Sequence, residues 1–515
     1  MHMRSVLLLA ASLFAVAPAA EASLGDGYPG RGTALQQLSP ASDYSDALKG
    51  RPLALGIMRT RAQGFVPSPQ LNAYVHGVLA RLLANVKMPP SFRPDVRVLA
   101  APEFAGECTP DGTLIVTIGL LEQLENEDEL AFVLGHEVAH AIYRHQTPDW
   151  YKKAQYYAVV NGGAVDTIAS AAAAAAGGVA GANVMRGLDV AQHLAKLSGK
   201  VLMPQMERGQ EDAADALGFD LMAKAGYDPQ AALSVMDKLA QQEAEAAQAA
   251  AQARAAAKKD SGGSEGGFMK GLNLGAGALG SIMSGSAPST DQVADIAIFA
   301  FDTAVDNMAD DATAHHPAKE RADLLSAYAF REYRSMAMIN PTPLPWSSGS
   351  NSPAKPHLTA LLSHYSSAEN AAAYVADSRQ GSPAAAKTYV ATSTANPTAD
   401  HAYTQFVAAE YYELDRQGPL SEAALIKAAN GPEPSWEVYS RLTDIYVAGN
   451  DYGKAQALMD QAVARFENSP VILPKRIAVL HGAGRQADAE ALVPQCRKYD
   501  IPELTDSCKK AAGKG

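Results

Sequence analysis

Apolar residues return every third or fourth position from Ser68 to Val86, through Leu71, Tyr74, Val75, Val78, Leu79, Leu82 and Leu83, which predicts a helix. The pattern then shortens. Val96–Leu99 and the β-branched run Thr113–Ile118, the second following a turn at Pro110-Asp-Gly112, predict two strands. Helical spacing resumes over 126–145, with Leu130, Phe132, Val133, Leu134, Val138, Ala141 and Ile142 apolar. Asn126 is placed to cap this helix and Glu129 to reach back to it, a capping-box-like start, and Pro148 closes the segment. Another helix opens near Met206 and stops at Ala225-Gly226-Tyr-Asp-Pro229, where Gly226 suits the left-handed position after a helix and Pro229 blocks continuation.

Between and beyond these elements the pattern loosens. Residues 162–187 are mostly Ala and Gly, and we expect a flexible or helical flap there rather than a membrane span. Gln241–Lys259 reads as an Ala/Gln/Glu helix without a strong apolar stripe. Ser261–Pro288 is Gly/Ser-rich, so 241–290 reads as a flexible insertion. Five prolines in 339–356 mark a domain boundary. Past it the chain is helical and repeats. A shift of 34 residues carries Ile445 to Val479, Ala455 to Ala489, Leu458 to Leu492 and Gln461 to Gln495, the period of tetratricopeptide-like helix–turn–helix repeats.

Composition narrows the function. A chain of 515 residues has room for two or three domains. Its net charge of -12 and the absence of basic clusters argue against nucleic acid as a partner. Residues 1–22 resemble a secretory signal: Arg4, an apolar stretch from Val6 to Val16, then Ala20-Glu21-Ala22 as a small-x-small cleavage site. That apolar run is too short for a membrane anchor, which needs roughly 20 residues, so no transmembrane helix is expected in the mature chain. No cysteine follows it, so nothing suggests a lipid anchor. Export permits a Cys496–Cys508 disulfide and leaves Cys108 as a buried free thiol.

The chemistry concentrates in His136-Glu137-x-x-His140. On a helix the two histidines stand one turn apart, about 5–6 Å between Cβ atoms, close enough to share one tetrahedral ion. Glu137, one step round, is then placed to take a proton from the attacking water rather than to bind metal. His145 is a poor third ligand, because five residues past His140 is about 140° round the helix and no Gly lies between to end it. Downstream, Glu211 and Asp215 share a helix face, a pairing that suits one carboxylate ligand and a second carboxylate to fix a ligand histidine's tautomer. A strand running into such a helix also suits a peptidase, since a strand edge can hold an extended peptide by main-chain hydrogen bonds.

Taken together, His136-Glu-x-x-His140, Arg208-x-x-Glu211-x-x-Ala-Asp215, Gly226-Tyr-Asp-Pro229 and His316-Pro with Arg321 resemble the gluzincin family containing HtpX and the CAAX prenyl endopeptidases. The exported start and repeat-like tail resemble its soluble periplasmic branch, the BepA-type proteases. The resemblance implies an α+β zincin-like metalloprotease domain, mostly helical with a small sheet, over 23–338, a linker at 339–356, and all-α tetratricopeptide-like repeats over 357–510. It implies one Zn2+ held by His136, His140 and Glu211, with Glu137 as base and Asp215 behind a ligand histidine. His316, or its neighbour His315, would match a family histidine whose loop covers the zinc. The implied work is cleavage of unfolded or misassembled envelope proteins, with outer-membrane assembly machinery met through the repeats. A non-catalytic assembly scaffold that retains a zinc site is the rival expectation.

Overall fold

The computed structural model describes residues 27–38, 44–49, 51, 55–56, 59, 64–84, 86–145, 208–260, 316–333, 339–376, 383–467 and 469–514. The signal-like start, Pro148, the Ala/Gly-rich stretch 162–187, the Gly/Ser-rich run 261–288 and His315 lie outside the described residues.

Two short helices, α1 (Ala34–Gln37) and α2 (Ser45–Lys49), precede α3 (Pro69–Leu83), where the apolar spacing predicts a helix. A three-stranded sheet follows: β1 (Asp95–Leu99), β2 (Gly106–Cys108) and β3 (Thr113–Thr117), in the order β1-β3-β2. β1 runs parallel to β3 with Asp95 opposite Thr113 and Leu99 opposite Thr117. β2 is antiparallel, with Gly106 opposite Val116 and Cys108 opposite Leu114. All five residues of β3 are buried, as expected for the central strand of a sheet covered on both faces. The edge strand β2 is a structural addition to the two strands expected; three residues with one apolar side chain carry no periodic signal.

α4 (Ile118–Gln123) leads into α5 (Glu127–Tyr143), and α6 (Arg208–Lys224) packs along α5. The contact is close because it is made through glycine: a Cβ on Gly218 would lie 2.8 Å from the His136 nitrogen, so only glycine lets the backbones touch there. α7 (Gln230–Asp260) and α8 (Ala318–Glu332) pack together, α7 also against α5 and α8 against α6.

Two details of α5 differ from expectation. The Asn126 side chain accepts from the Glu129 N–H at 2.9 Å, but the Glu129 carboxylate accepts from the Glu125 N–H (2.7 Å), not from that of Asn126. Fully buried, Glu129 also takes Ser234 Oγ (2.6 Å) and Lys238 Nζ (3.3 Å), and these draw it out of a capping box. The helix also ends before Pro148, at Arg144, which is left-handed with φ of 55°.

The Pro-rich segment after 339 is wired to α5. Glu127 N–H donates to the Thr342 carbonyl (2.8 Å) and Thr342 N–H to Asp128 Oδ2 (2.7 Å). Beyond it run α9 (Lys355–Ala376), α10 (Pro383–Ser393), α11 (Ala402–Leu414), α12 (Gly418–Asn430), α13 (Trp436–Ala448), α14 (Tyr452–Arg465), α15 (Leu473–Gly482), α16 (Gln486–Cys496) and α17 (Pro502–Ala511). Most pack mainly on their neighbours in sequence, but α9 also packs against α11, and α17 packs more against α15 than against α16. One apolar cluster runs from Tyr28 through the sheet and α5 to Tyr411, so α9–α11 share a core with the segment before 339. A second cluster fills α11–α15 and a third fills α15–α17, where Cys496 and Cys508 are bonded; Cys108 is a buried free thiol. Among the described residues no helix is long and apolar enough to cross a membrane.

Candidate metal centre

α5 and α6 each supply half of the centre. His136 and His140 turn their rings toward one point, with Nε2 atoms 2.9 Å apart. Glu211, in the first turn of α6, brings Oε1 to 3.4 Å from His140 Nε2 and Oε2 to 3.6 Å from His136 Nε2. Tetrahedral bonds of about 2.0–2.1 Å hold their ligand atoms about 3.3–3.4 Å apart. The three separations bracket that distance, so the group fits one ion. Two imidazoles and a carboxylate are also a donor set found in catalytic zinc sites. Among the described residues this is the group of side chains able to hold a metal.

Glu137 reaches β2, where a Cβ on Gly106 would lie 3.1 Å from its Oε1. Burial, with Glu211 and Glu107 adding and His136 opposing, pushes its carboxyl up to about 8. A group of that acidity exchanges protons readily near neutral pH.

Asp215, one turn beyond Glu211 and fully buried, places Oδ1 2.9 Å from His136 Nδ1. That contact favours a proton on Nδ1 and leaves the Nε2 lone pair toward the centre. Burial works against the Asp215 charge, but Arg321 and then His136 outweigh it and lower its pKa. Burial likewise opposes a charged His136, and the Asp215 contacts outweigh it, raising the ring's pKa. At His140 burial prevails and the pKa falls well below the usual value.

His316 is not part of the ligand group. Its Nδ1 lies 2.9 Å from Glu320 Oε1 and its Nε2 3.8 Å from Asp212 Oδ2, so the residue sits beside the acidic start of α6. Two further residues approach the centre. Arg321 donates to Asp215 through Nε (2.9 Å) and Nη2 (2.7 Å) and brings Nη1 within 3.0 Å of Glu211. Its number belongs to the motif quoted above, but no spacing rule says that an arginine a hundred residues on will face those carboxylates. The other is His145, whose Nδ1 lies 2.8 Å from His140 Nδ1. Its distance round an ideal helix hides it, because the helix stops short of it.

The stretch that holds this centre also matches a known family. The model of Peptidase family M48 matches residues 69–330. The chain is 29% identical over 145 residues to mitochondrial metalloendopeptidase OMA1 of Arabidopsis thaliana, covering 28% of this chain and 25% of that protein. It is 27% identical over 136 residues to the beta-barrel assembly-enhancing protease of Yersinia pestis, 25% of each chain. It is 28% identical over 182 residues to a putative beta-barrel assembly-enhancing protease of Vibrio cholerae, 35% of this chain and 34% of that one. These alignments span between a quarter and about a third of the relatives' own lengths. The family match covers half of the chain and takes in both helices that bear the centre, and the chain belongs to peptidase family M48.

Proposed function

We propose that the protein is a zinc-dependent endopeptidase of the bacterial envelope that cleaves unfolded or misassembled proteins. The observation that carries this is the convergence of His136, His140 and Glu211 with the Glu137 carboxylate next to them. Bound zinc would polarise the scissile carbonyl and lower the pKa of its water to about 7. Glu137 takes the proton from the attacking water on its carboxylate and returns it to the leaving amine nitrogen. Asp215 holds the His136 ring, and Arg321 pairs with both Asp215 and Glu211. β2, an edge strand whose Gly106 adjoins Glu137, offers main-chain groups to an extended peptide.

The substrate class draws on a different set of observations. Two of the relatives are named for enhancing β-barrel assembly, and residues 1–22 resemble an export signal. The repeat reading draws on helix spacing: α11, α13 and the 3-10 turn opening α15 begin at 402, 436 and 470, and α12, α14 and α16 at 418, 452 and 486. Both series step by 34 residues, as tetratricopeptide stacks do. Such stacks present grooves for peptides or partners, which suits a chaperone-like role beside outer-membrane assembly machinery.

The test is cleavage of casein by the full chain, with zinc counted. One zinc per chain, and cleavage stopped by a chelator and restored by zinc, is the expected result. Cleavage indifferent to the chelator would overturn the proposal, and a zinc-loaded chain that cleaves nothing would favour the scaffold reading.

A further inference from the structure

The two ligand histidines are backed differently. Behind His136 stands a carboxylate; behind His140 stands a third histidine, with the two Nδ1 atoms 2.8 Å apart and the rings 4.9 Å apart at 75°. An uninterrupted helix would carry His145 about 140° away from His140. Arg144 prevents this by turning left-handed, and the His145 N–H then donates to the His140 carbonyl at 3.1 Å, folding the ring back. The turn is held on both sides. The Arg144 guanidinium lies over the Tyr44 ring at 4.5 Å, and the His145 ring stacks on Tyr143 at 5.4 Å and 27°. A left-handed residue other than glycine costs about 1–2 kcal/mol, so such a turn persists only where its surroundings hold it.

Unlike the two Nε2 atoms, which face the metal position, the two Nδ1 atoms 2.8 Å apart face each other on the far side of His140 and share a proton, since two facing lone pairs repel. With its Nε2 lone pair toward the ion, His140 carries its proton on Nδ1. That proton can be donated to the lone pair of His145 Nδ1, which leaves the His145 proton on Nε2. We propose that His145 is the positioning residue for His140, a neutral acceptor that fixes its tautomer and ring plane as Asp215 does for His136. The inference rests on the metal-site reading above.

The test is zinc affinity of the full chain, measured by competition with a chromophoric chelator. His145→Ala should weaken zinc binding 10–100-fold, the usual loss for a partner behind a ligand histidine. His145→Asn, whose side-chain oxygen can occupy the Nδ1 position, should restore most of it. The melting temperature of the chelator-stripped protein should match wild type in both. Unchanged affinity in His145→Ala, no rescue by His145→Asn, or an equal loss of stability in the stripped protein would overturn the inference. A wild-type chain that binds no zinc would overturn the metal-site reading along with it.

Discussion

Arg321 grips Asp215 with two near-parallel contacts, Nε to Oδ2 at 2.9 Å and Nη2 to Oδ1 at 2.7 Å, while Nη1 reaches Glu211 at 3.0 Å. One largely buried guanidinium thus offsets two buried carboxylates, one of them in the candidate ligand group. Arg321→Ala leaves both without it, and breaking a buried pair costs about 3–5 kcal/mol. Zinc brings two positive charges beside Glu211, so the loss should be smaller in the loaded protein, and the variant should depend on zinc for stability more than wild type does. Arg321→Lys keeps the charge but not the fork and should fall between. Calorimetry with and without chelator checks this; equal losses in both forms would uncouple Arg321 from the centre.

Glu137→Gln keeps the size of the side chain against Gly106 and removes its ability to take a proton. Casein cleavage should fall by about 10²–10⁴-fold, the usual contribution of a positioned base, with zinc content unchanged. His136→Ala should lose both. Zinc by mass spectrometry beside the cleavage rate separates the two outcomes, and a Glu137→Gln chain cleaving at the wild-type rate would remove Glu137 from the mechanism.

What could be read from the sequence follows the range of the forces. Helix α5 was legible because its cap at Asn126 and its apolar spacing are local, and so was the left-handed Gly226 after α6. Glu211 and Asp215 could be named as a pair because i, i+4 spacing fixes a shared face. Which face meets α5 depends on the Gly218 crossing, which only packing reveals. The contact of His145 with His140, which lies outside the ligand group as expected, is hidden for a related reason: Arg144 is not glycine, and its left-handed turn is held by Tyr44, a hundred residues earlier. The wiring of Thr342 to Asp128 is equally long-range, so the prolines after 339 read as a break where the backbone in fact docks on α5.

Asp220, fully buried on α6, accepts from Tyr328 (2.9 Å), Tyr333 (2.6 Å) and the Leu35 N–H (2.8 Å). Burial outweighs these bonds and raises its carboxyl to about 6 from an ordinary 3.8. The native state therefore binds this proton more tightly than the unfolded chain does. Asp220's contribution to stability is fully present below about pH 4 and is lost as pH rises through about 6, up to about 3 kcal/mol in all. Asp220→Asn lacks that titration, so wild type should gain stability relative to the variant on acidification from pH 7 to about 4.5. Urea unfolding of chelated protein across that range measures the difference, and a pH-independent gap would refute it.

The Cys496–Cys508 bridge ties α16 to α17, spanning 12 residues around a small apolar cluster that includes Ile477, Leu504 and Ala512. Closing a loop of that length removes about 3 kcal/mol of unfolded-chain entropy in the simplest treatment, a large share of what so small a cluster can supply. The cluster contains no side chain of the metal centre, whose helices pack in the core that ends at Tyr411. Reduction, or Cys508→Ser, should therefore loosen α17 locally and leave zinc affinity and casein cleavage as they were. Hydrogen exchange with and without reductant should show protection lost over 497–514 and kept across α5 and α6. Unchanged exchange at 497–514 would mean that packing of Leu504 and Ile501 suffices without the bridge; loss of zinc on reduction would mean that the last helices support the centre through contacts their packing does not suggest.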